Sequence, residues 1–173
     1  MTGQVSAAAA PVTFTANRAS VAEIRAHLAR CDAHFIPPLS ARVDLGAYAE
    51  KIANHAERFE AWSTGALAGL VAAYANDPGR SGIFVTSVSV VPELRGGGVG
   101  RRLMENCIHH ARRTGFERLS LRVDREQAAA IALYERCGFT RTPALERDAA
   151  PGQRSDIIMM LEFKENDGRH ARL

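Results

Sequence analysis

The sequence predicts an α/β (α+β) fold, a mixed central sheet of about six to seven strands flanked by about four helices. Three observations carry this. Segments with apolar residues at every second position alternate with segments spaced for one face of a helix. An apolar β-branched run, residues 83–91, ends at Pro92 and passes through the glycine-rich stretch 95–100 into an amphipathic stretch. The order is strand, helices, three strands, helix, strand, helix, strands, with no internal repeat and no linker. A length of 173 residues with 46% hydrophobic content fits one domain with a real core. That domain is assigned to residues 12–163, between a flexible, alanine-rich N-terminal arm at 1–11 and a charged, frayed tail at 164–173.

Residues 12–15 read as a short first strand. Ser20 and Glu23 stand at capping-box spacing and open a helix that carries Val21, Ile24 and Leu28 on one face. Pro37 and Pro38 make residues 35–40 a loop. Helical spacing resumes with Leu45, Tyr48, Ile52 and Phe59, so a second helix is expected over 45–59. Residues 60–63 and 66–74, joined at Thr64-Gly65, read as a hairpin, and Asn76-Asp77-Pro78-Gly79 as a turn. In the strand at 82–91 the apolar residues alternate imperfectly, Val88 and Val90 with Ser87 and Ser89 between, as if one side faced a site rather than a dry core. A third helix runs from about Gly98 to Thr114 on a stripe of Val99, Leu103, Met104, Cys107, Ile108 and Ala111, and Gly115 is placed to end it in a left-handed cap. Leu119, Leu121 and Val123 alternate in a strand. Residues 128–137 form a helix stopped by Gly138, Phe139 begins a strand, 147–154 is a loop, and 157–163 closes the sheet.

Net charge is +3, with a sequence pI near 9.0. Arg95, Arg101, Arg102, Arg112 and Arg113 gather around the glycine turn, which favours an anionic ligand, although Arg112 and Arg113 read better as a solvated helix face. No basic stripe interleaved with aromatics suggests nucleic acid. The longest apolar run, 66–75, is short for a bilayer and broken by Gly69, so no membrane role is expected. Cys31, Cys107 and Cys137 are widely spaced and read as packing residues; no metal-ligand spacing occurs. The N-terminus lacks a signal-peptide pattern, and a cytoplasmic location is expected.

A glycine turn between a strand and a helix aims backbone N–H groups at one point, with the positive end of the helix dipole behind them. That suits a pyrophosphate. The dinucleotide fingerprint is excluded because Arg101 stands where its third glycine belongs, and the P-loop because Gly100-Arg101-Arg102 lacks Gly-Lys-Ser/Thr. What matches is Arg/Gln-x-x-Gly-x-Gly/Ala, here Arg95-Gly96-Gly97-Gly98-Val99-Gly100, behind Val90-Val91-Pro92. A second segment, Leu121-Arg122-Val123 followed by Ala130-Ile131-Ala132-Leu133-Tyr134-Glu135-Arg136-Cys137-Gly138-Phe139, lies downstream. Together, in this order, the two resemble the GCN5-related N-acetyltransferase (GNAT) family over roughly residues 13–163.

The resemblance implies a mostly antiparallel sheet and acetyl-coenzyme A (acetyl-CoA) as co-substrate. It places the pyrophosphate on the backbone of Arg95, Gly96, Gly97, Gly98, Val99, Gly100 and Arg101. It places pantetheine and the acetyl oxygen on Val88, Ser89 and Val90, where the family's strand splays from the next. It makes Tyr134 the general acid and a further cofactor contact: a phenol with a pKa of about 10 stays protonated at neutral pH and can donate to a departing thiolate. The family usually carries asparagine where this chain has Gln127, which either keeps the amide contact on a longer arm or simply starts the helix. The general base is not assigned by motif: residues 82–91 contain no glutamate, and Asp124 is the nearest acidic candidate, its other reading being a helix-start carboxylate. Phe35 and Tyr48 either line the acceptor pocket or pack the core. The acceptor is a primary amine on a small molecule or peptide; charges of both signs at 30–60 and 140–156 do not select its class. The family also allows a homodimer. A module that binds acyl-CoA without turnover is the competing reading.

Overall fold

The computed structural model describes residues 10–142 and 156–163. The readings made for residues 1–9, for the loop at 147–154 and for the tail from Lys164 lie outside the described residues.

The elements are β1 (Val12–Ala16), α1 (Val21–Cys31), α2 (Leu45–His55), β2 (Glu57–Ser63), β3 (Ala66–Tyr74), β4 (Ile83–Val90), α3 (Val99–Arg113), β5 (Arg118–Asp124), α4 (Ala128–Arg136), β6 (Thr140–Arg141) and β7 (Asp156–Glu162). Among the described residues seven strands form one sheet in the order β1-β2-β3-β4-β5-β7-β6. Every pair is antiparallel except β4 with β5. The mixed, mostly antiparallel sheet with four α-helices is the architecture the sequence predicts.

Each face of the sheet buries its own apolar layer. On one side Ile24 and Leu28 of α1 and Ile52 of α2 pack over Leu70 and Ala72. On the other, Leu103, Met104 and Cys107 of α3 and Ile131 of α4 pack over Val71, Leu119, Leu121 and Met159. Burying one such aliphatic side chain contributes about 1.5–3 kcal/mol. The capping box forms as spaced: the Ser20 hydroxyl accepts from the Glu23 N–H at 3.2 Å, and the Glu23 carboxylate accepts from the Ser20 N–H at 2.8 Å. Gly115 follows α3 with φ of 79°.

One expected element is corrected. The second helix ends at His55, not at residue 59, and Phe59 belongs to β2. Leu45, Tyr48 and Ile52 do share the helical face, but Ala56 turns the backbone extended (φ −102°, ψ 143°). Phe59 and Ala61 then point inward at a spacing of two, under α3. The match of Phe59 to helical spacing was a coincidence of phase. Arg58 and Glu60, on either side of Phe59 in the chain, are also buried, and the Glu60 carboxylate accepts from the Arg18 and Ala19 N–H groups and the Thr15 hydroxyl. Every buried charge there has a partner, as burial requires.

The irregular alternation in β4 has a structural cause. Ala73 pairs with Val85 and Ala72 with Ser87, so Thr86 is an extra, bulged residue. The bulge resets the phase. Ile83 and Val85 before it, and Val88 and Val90 after it, all contact the α3–α4 layer, while Ser89 reaches α1.

Candidate active site

The bulge is where the sheet opens. Strand β4 pairs with β5 only at Ile83–Leu119, Phe84–Ser120 and Val85–Leu121. Beyond Val85 the two strands separate, although β4 continues to Val90 and β5 to Asp124. Backbone groups inside a sheet need partners, and this edge has none from its neighbour strand. A cavity of about 490 Å³ fills the opening, lined by Thr86, Ser87 and Val88 of β4, Arg122, Val123 and Asp124 of β5, Gln127 and Tyr134. Ser87 Oγ is buried there without a hydrogen-bond partner among the described residues.

The glycine turn stands just past the end of β4. Gly96 and Gly98 take φ of 77° and 83°, which only glycine adopts without strain, and a Cβ on either would meet nothing within 4 Å. Turn hydrogen bonds stop where the Arg95 N–H donates to Pro92 O (3.3 Å) and resume where the Arg102 N–H donates to Gly98 O (3.0 Å). The N–H groups between them sit at the start of the 15-residue α3, whose N-cap Gly98 offers no side-chain cap. Gly97 has no positive φ, and a Cβ there meets only Leu94 O at 3.5 Å. Gly100 differs: a Cβ would meet Leu133 at 3.4 Å and Val90 at 3.6 Å, so it brings α3 close to α4 and β4. The arginine side chains of the motif are engaged elsewhere. Arg95 Nε donates to Val90 O at 3.0 Å, and Arg101 pairs with Glu105 at 2.9 Å. With these guanidinium groups engaged, the donors the turn leaves open are backbone N–H groups. Val99 is buried in the α3 layer.

Tyr134, on α4, is buried against Phe139, with ring centroids 6.0 Å apart, and it lines the cavity. Burial, and then the nearby Cys137, push its phenol above the ordinary tyrosine range. It holds its proton at every physiological pH. Gln127 stands at the N-cap of α4, and its amide N–H donates to His34 O at 3.5 Å, across to the segment after α1. Asp124 accepts from the Glu126 N–H at 2.8 Å through one oxygen and faces the same cavity. Its cross-strand partner is Asp156, which also lines the cavity. Val88, Asp124, Gln127 and Tyr134 thus meet in one space; Ser89, Val90 and the turn lie outside its lining.

Phe35 and Tyr48 both line the cavity, and both also pack on the α1–α2 core. The Tyr48 hydroxyl donates to the bulged carbonyl of Thr86 at 2.9 Å. Sequence reasoning missed that contact, Asp156 and the His27–Ser89 bond (2.8 Å). The imperfect alternation in β4 hinted at the first; Asp156 and the His27–Ser89 bond depend on pairings distant in sequence. Among the described residues, no three His, Cys, Asp or Glu side chains are grouped to hold a metal, and no helix is long and apolar enough to cross a membrane.

Over 89 residues, 48% of this chain, the sequence is 35% identical to a mycothiol acetyltransferase of Geodermatophilus obscurus, of which it covers 28%. It is 37% identical over 78 residues, 43% of this chain, to the ribosomal protein bS18-alanine N-acetyltransferase of Escherichia coli, of which it covers 52%. The chain therefore spans only about a quarter to a half of these curated relatives. The structure superposes on Salmonella typhimurium yncA, solved with its cofactor acetyl-CoA, with a TM-score of 0.66 at 23% identity, covering 92% of this chain and 99% of that one. The family model for the acetyltransferase (GNAT) family matches residues 22–139, more than half of the chain, and the protein belongs to that family.

Proposed function

We propose that this protein is an acetyl-CoA-dependent N-acetyltransferase of the cytoplasm that acylates a primary amine by direct attack in a ternary complex. The observation that carries this reading is the loss of β4–β5 pairing after Val85, which opens a cavity onto the buried hydroxyl-bearing ring of Tyr134. The residues fit the co-substrate. A free strand edge suits a chain of amides, and an unhindered glycine turn at a helix N-terminus suits a pyrophosphate. Bound there, acetyl-CoA supplies the thioester that is the acyl donor.

The chain's own groups then divide the work. The N–H groups between Arg95 and Arg101 take the pyrophosphate; Gly96, Gly97 and Gly98 keep that surface free of side chains, and Gly100 lets the start of α3 approach α4 and β4. The open edge at Val88, Ser89 and Val90 holds the pantetheine amides and orients the acyl oxygen. The Gln127 amide borders that arm. Asp124, with one oxygen outside its turn hydrogen bond, receives the amine proton. Tyr134, kept protonated by burial, donates to the departing sulfur.

The acceptor enters from the side of Phe35, Arg42, Tyr48 and Asp156, which line the same cavity. Arginine and aspartate both border it, so the charge of the acceptor is not fixed by one sign. The relatives' names cover a mycothiol and a ribosomal-protein acetyltransferase, and both a small molecule and a peptide N-terminus stay within the proposal. The test is release of free thiol from acetyl-CoA across a panel of small amines and peptides. Acceptor-dependent release supports the proposal. Coenzyme A binding with no release across the panel favours a non-catalytic binding module.

A further inference from the structure

Helix α1 sends a histidine inward that the proposed chemistry does not use. His27 is 1% exposed. Its Nδ1 lies 3.1 Å from Leu67 O of β3, and its Nε2 lies 2.8 Å from Ser89 Oγ of β4. A carbonyl only accepts, so Nδ1 carries the proton and donates to Leu67 O. Nε2 then offers a lone pair and accepts from the Ser89 hydroxyl. One neutral ring ties a helix to two adjacent strands. Burial favours that form and pulls the imidazole pKa down to about 4. Cys31 Sγ, 3.8 Å from Nε2, and Arg30 are the neighbouring groups from α1 itself.

The position of the second bond gives it meaning. Ser89 lies in the part of β4 that has left β5, so the strand there is held by β3 along one edge only. Farther along, Tyr48 ties Thr86 at the start of the free segment. His27 supplies the tie at its far end, on the side chain of a residue whose neighbours Val88 and Val90 turn to the opposite layer. A shift of this segment by a fraction of an ångström would move every backbone group on the open edge together.

The geometry points to His27 as a positioning residue for the acetyl-CoA site, clamping α1 to β3 and β4 so that the unpaired edge at Val88, Ser89 and Val90 stands in register for the cofactor arm. This rests on the acetyltransferase reading above. A leucine would fill the same space without tying Ser89, and a glutamine would offer one donor and one acceptor in its place.

The test compares wild type, His27→Leu, His27→Gln and Ser89→Ala by calorimetric titration with coenzyme A and by steady-state kinetics, below each variant's melting temperature. His27→Leu and Ser89→Ala are expected to raise the coenzyme A Kd and the acetyl-CoA KM about five- to tenfold, the size of one hydrogen bond, with kcat changed less than about twofold. His27→Gln is expected to recover most of that loss. A merely structural role lowers the active fraction, and so the apparent kcat, without moving KM. Ser89→Ala leaves the His27 ring and its Leu67 bond in place, so it decides the matter even where His27→Leu does not fold. Wild-type binding with an unchanged Kd in Ser89→Ala overturns the role of His27 alone. Absence of binding by the wild type overturns the cofactor reading as well.

Discussion

In the proposed site the groups given to the cofactor are mostly main-chain, the N–H groups between Arg95 and Arg102 and the open edge of β4 beyond Val85, with the Gln127 amide beside them. On the acceptor side they are side chains drawn from separate elements, Tyr48 on α2, Asp124 on β5, Tyr134 on α4 and Asp156 on β7. The difference follows from what each side has to hold. A pyrophosphate and a run of amides are recognised by repeated N–H and C=O groups, which any sequence carries and only glycines and a broken strand pairing can expose. Proton transfer to and from an amine needs particular side chains at particular points. One side is therefore local in sequence, and the other is assembled from residues as far apart as Tyr48 and Asp156.

The largest effect should come from Tyr134. Tyr134→Phe keeps the ring against Phe139, so it should fold and bind coenzyme A within about twofold of wild type while kcat falls about 100- to 1,000-fold. An unchanged kcat at saturating acceptor removes Tyr134 from the acid role. Next, Asp124→Asn should lower kcat/KM for the amine about 30- to 100-fold and leave coenzyme A affinity unchanged. A cofactor Kd that moves with it would mean that the two sides are not separable.

A third effect concerns the tie beneath the open edge. His27 stays neutral in the native state down to a pKa of about 4, whereas an unfolded histidine takes its proton near pH 6.5. The unfolded state therefore binds more protons between those values, and stability is full above about pH 6.5 and falls as pH drops toward 4. Between pH 7 and pH 5 this one group should cost about 2 kcal/mol, read as a lower urea midpoint. The fall should be smaller in His27→Gln, and an equal fall in the variant would assign the acid sensitivity to other groups.

How much of this was legible in the sequence follows the same division. The glycine turn and the Leu133-Tyr134-Glu135 helix could be read because their spacing is short and their backbone demands are specific. The strand order and helix faces followed from periodicity. The end of α2 could not be read, because Phe59 happens to continue the helical phase of Leu45, Tyr48 and Ile52, and only pairing of β2 with β1 and β3 decides the matter. Asp156 could not be matched with Asp124 until the β5–β7 register was known, since that pairing spans residues distant in sequence. The role of His27 was invisible for the same reason: its partners Leu67 and Ser89 lie 40 and 62 residues away. Gly100 read as one of the phosphate glycines, yet its closest neighbours are Leu133 and Val90.

That last distinction shapes the most direct test. Substituting Gly100 confounds binding with packing, and substituting Gly96 or Gly98 strains a positive φ. Gly97→Glu adds a negative charge in the turn without either fault, because its φ is not positive and its Cβ has room. Calorimetric titration of coenzyme A into wild type and Gly97→Glu, with melting temperatures measured alongside, addresses the claim that this turn holds the pyrophosphate. Wild type is expected to bind with micromolar affinity, weakened at least about tenfold in Gly97→Glu with the melting temperature unchanged. Equal binding by the two proteins, or none by the wild type, would contradict it.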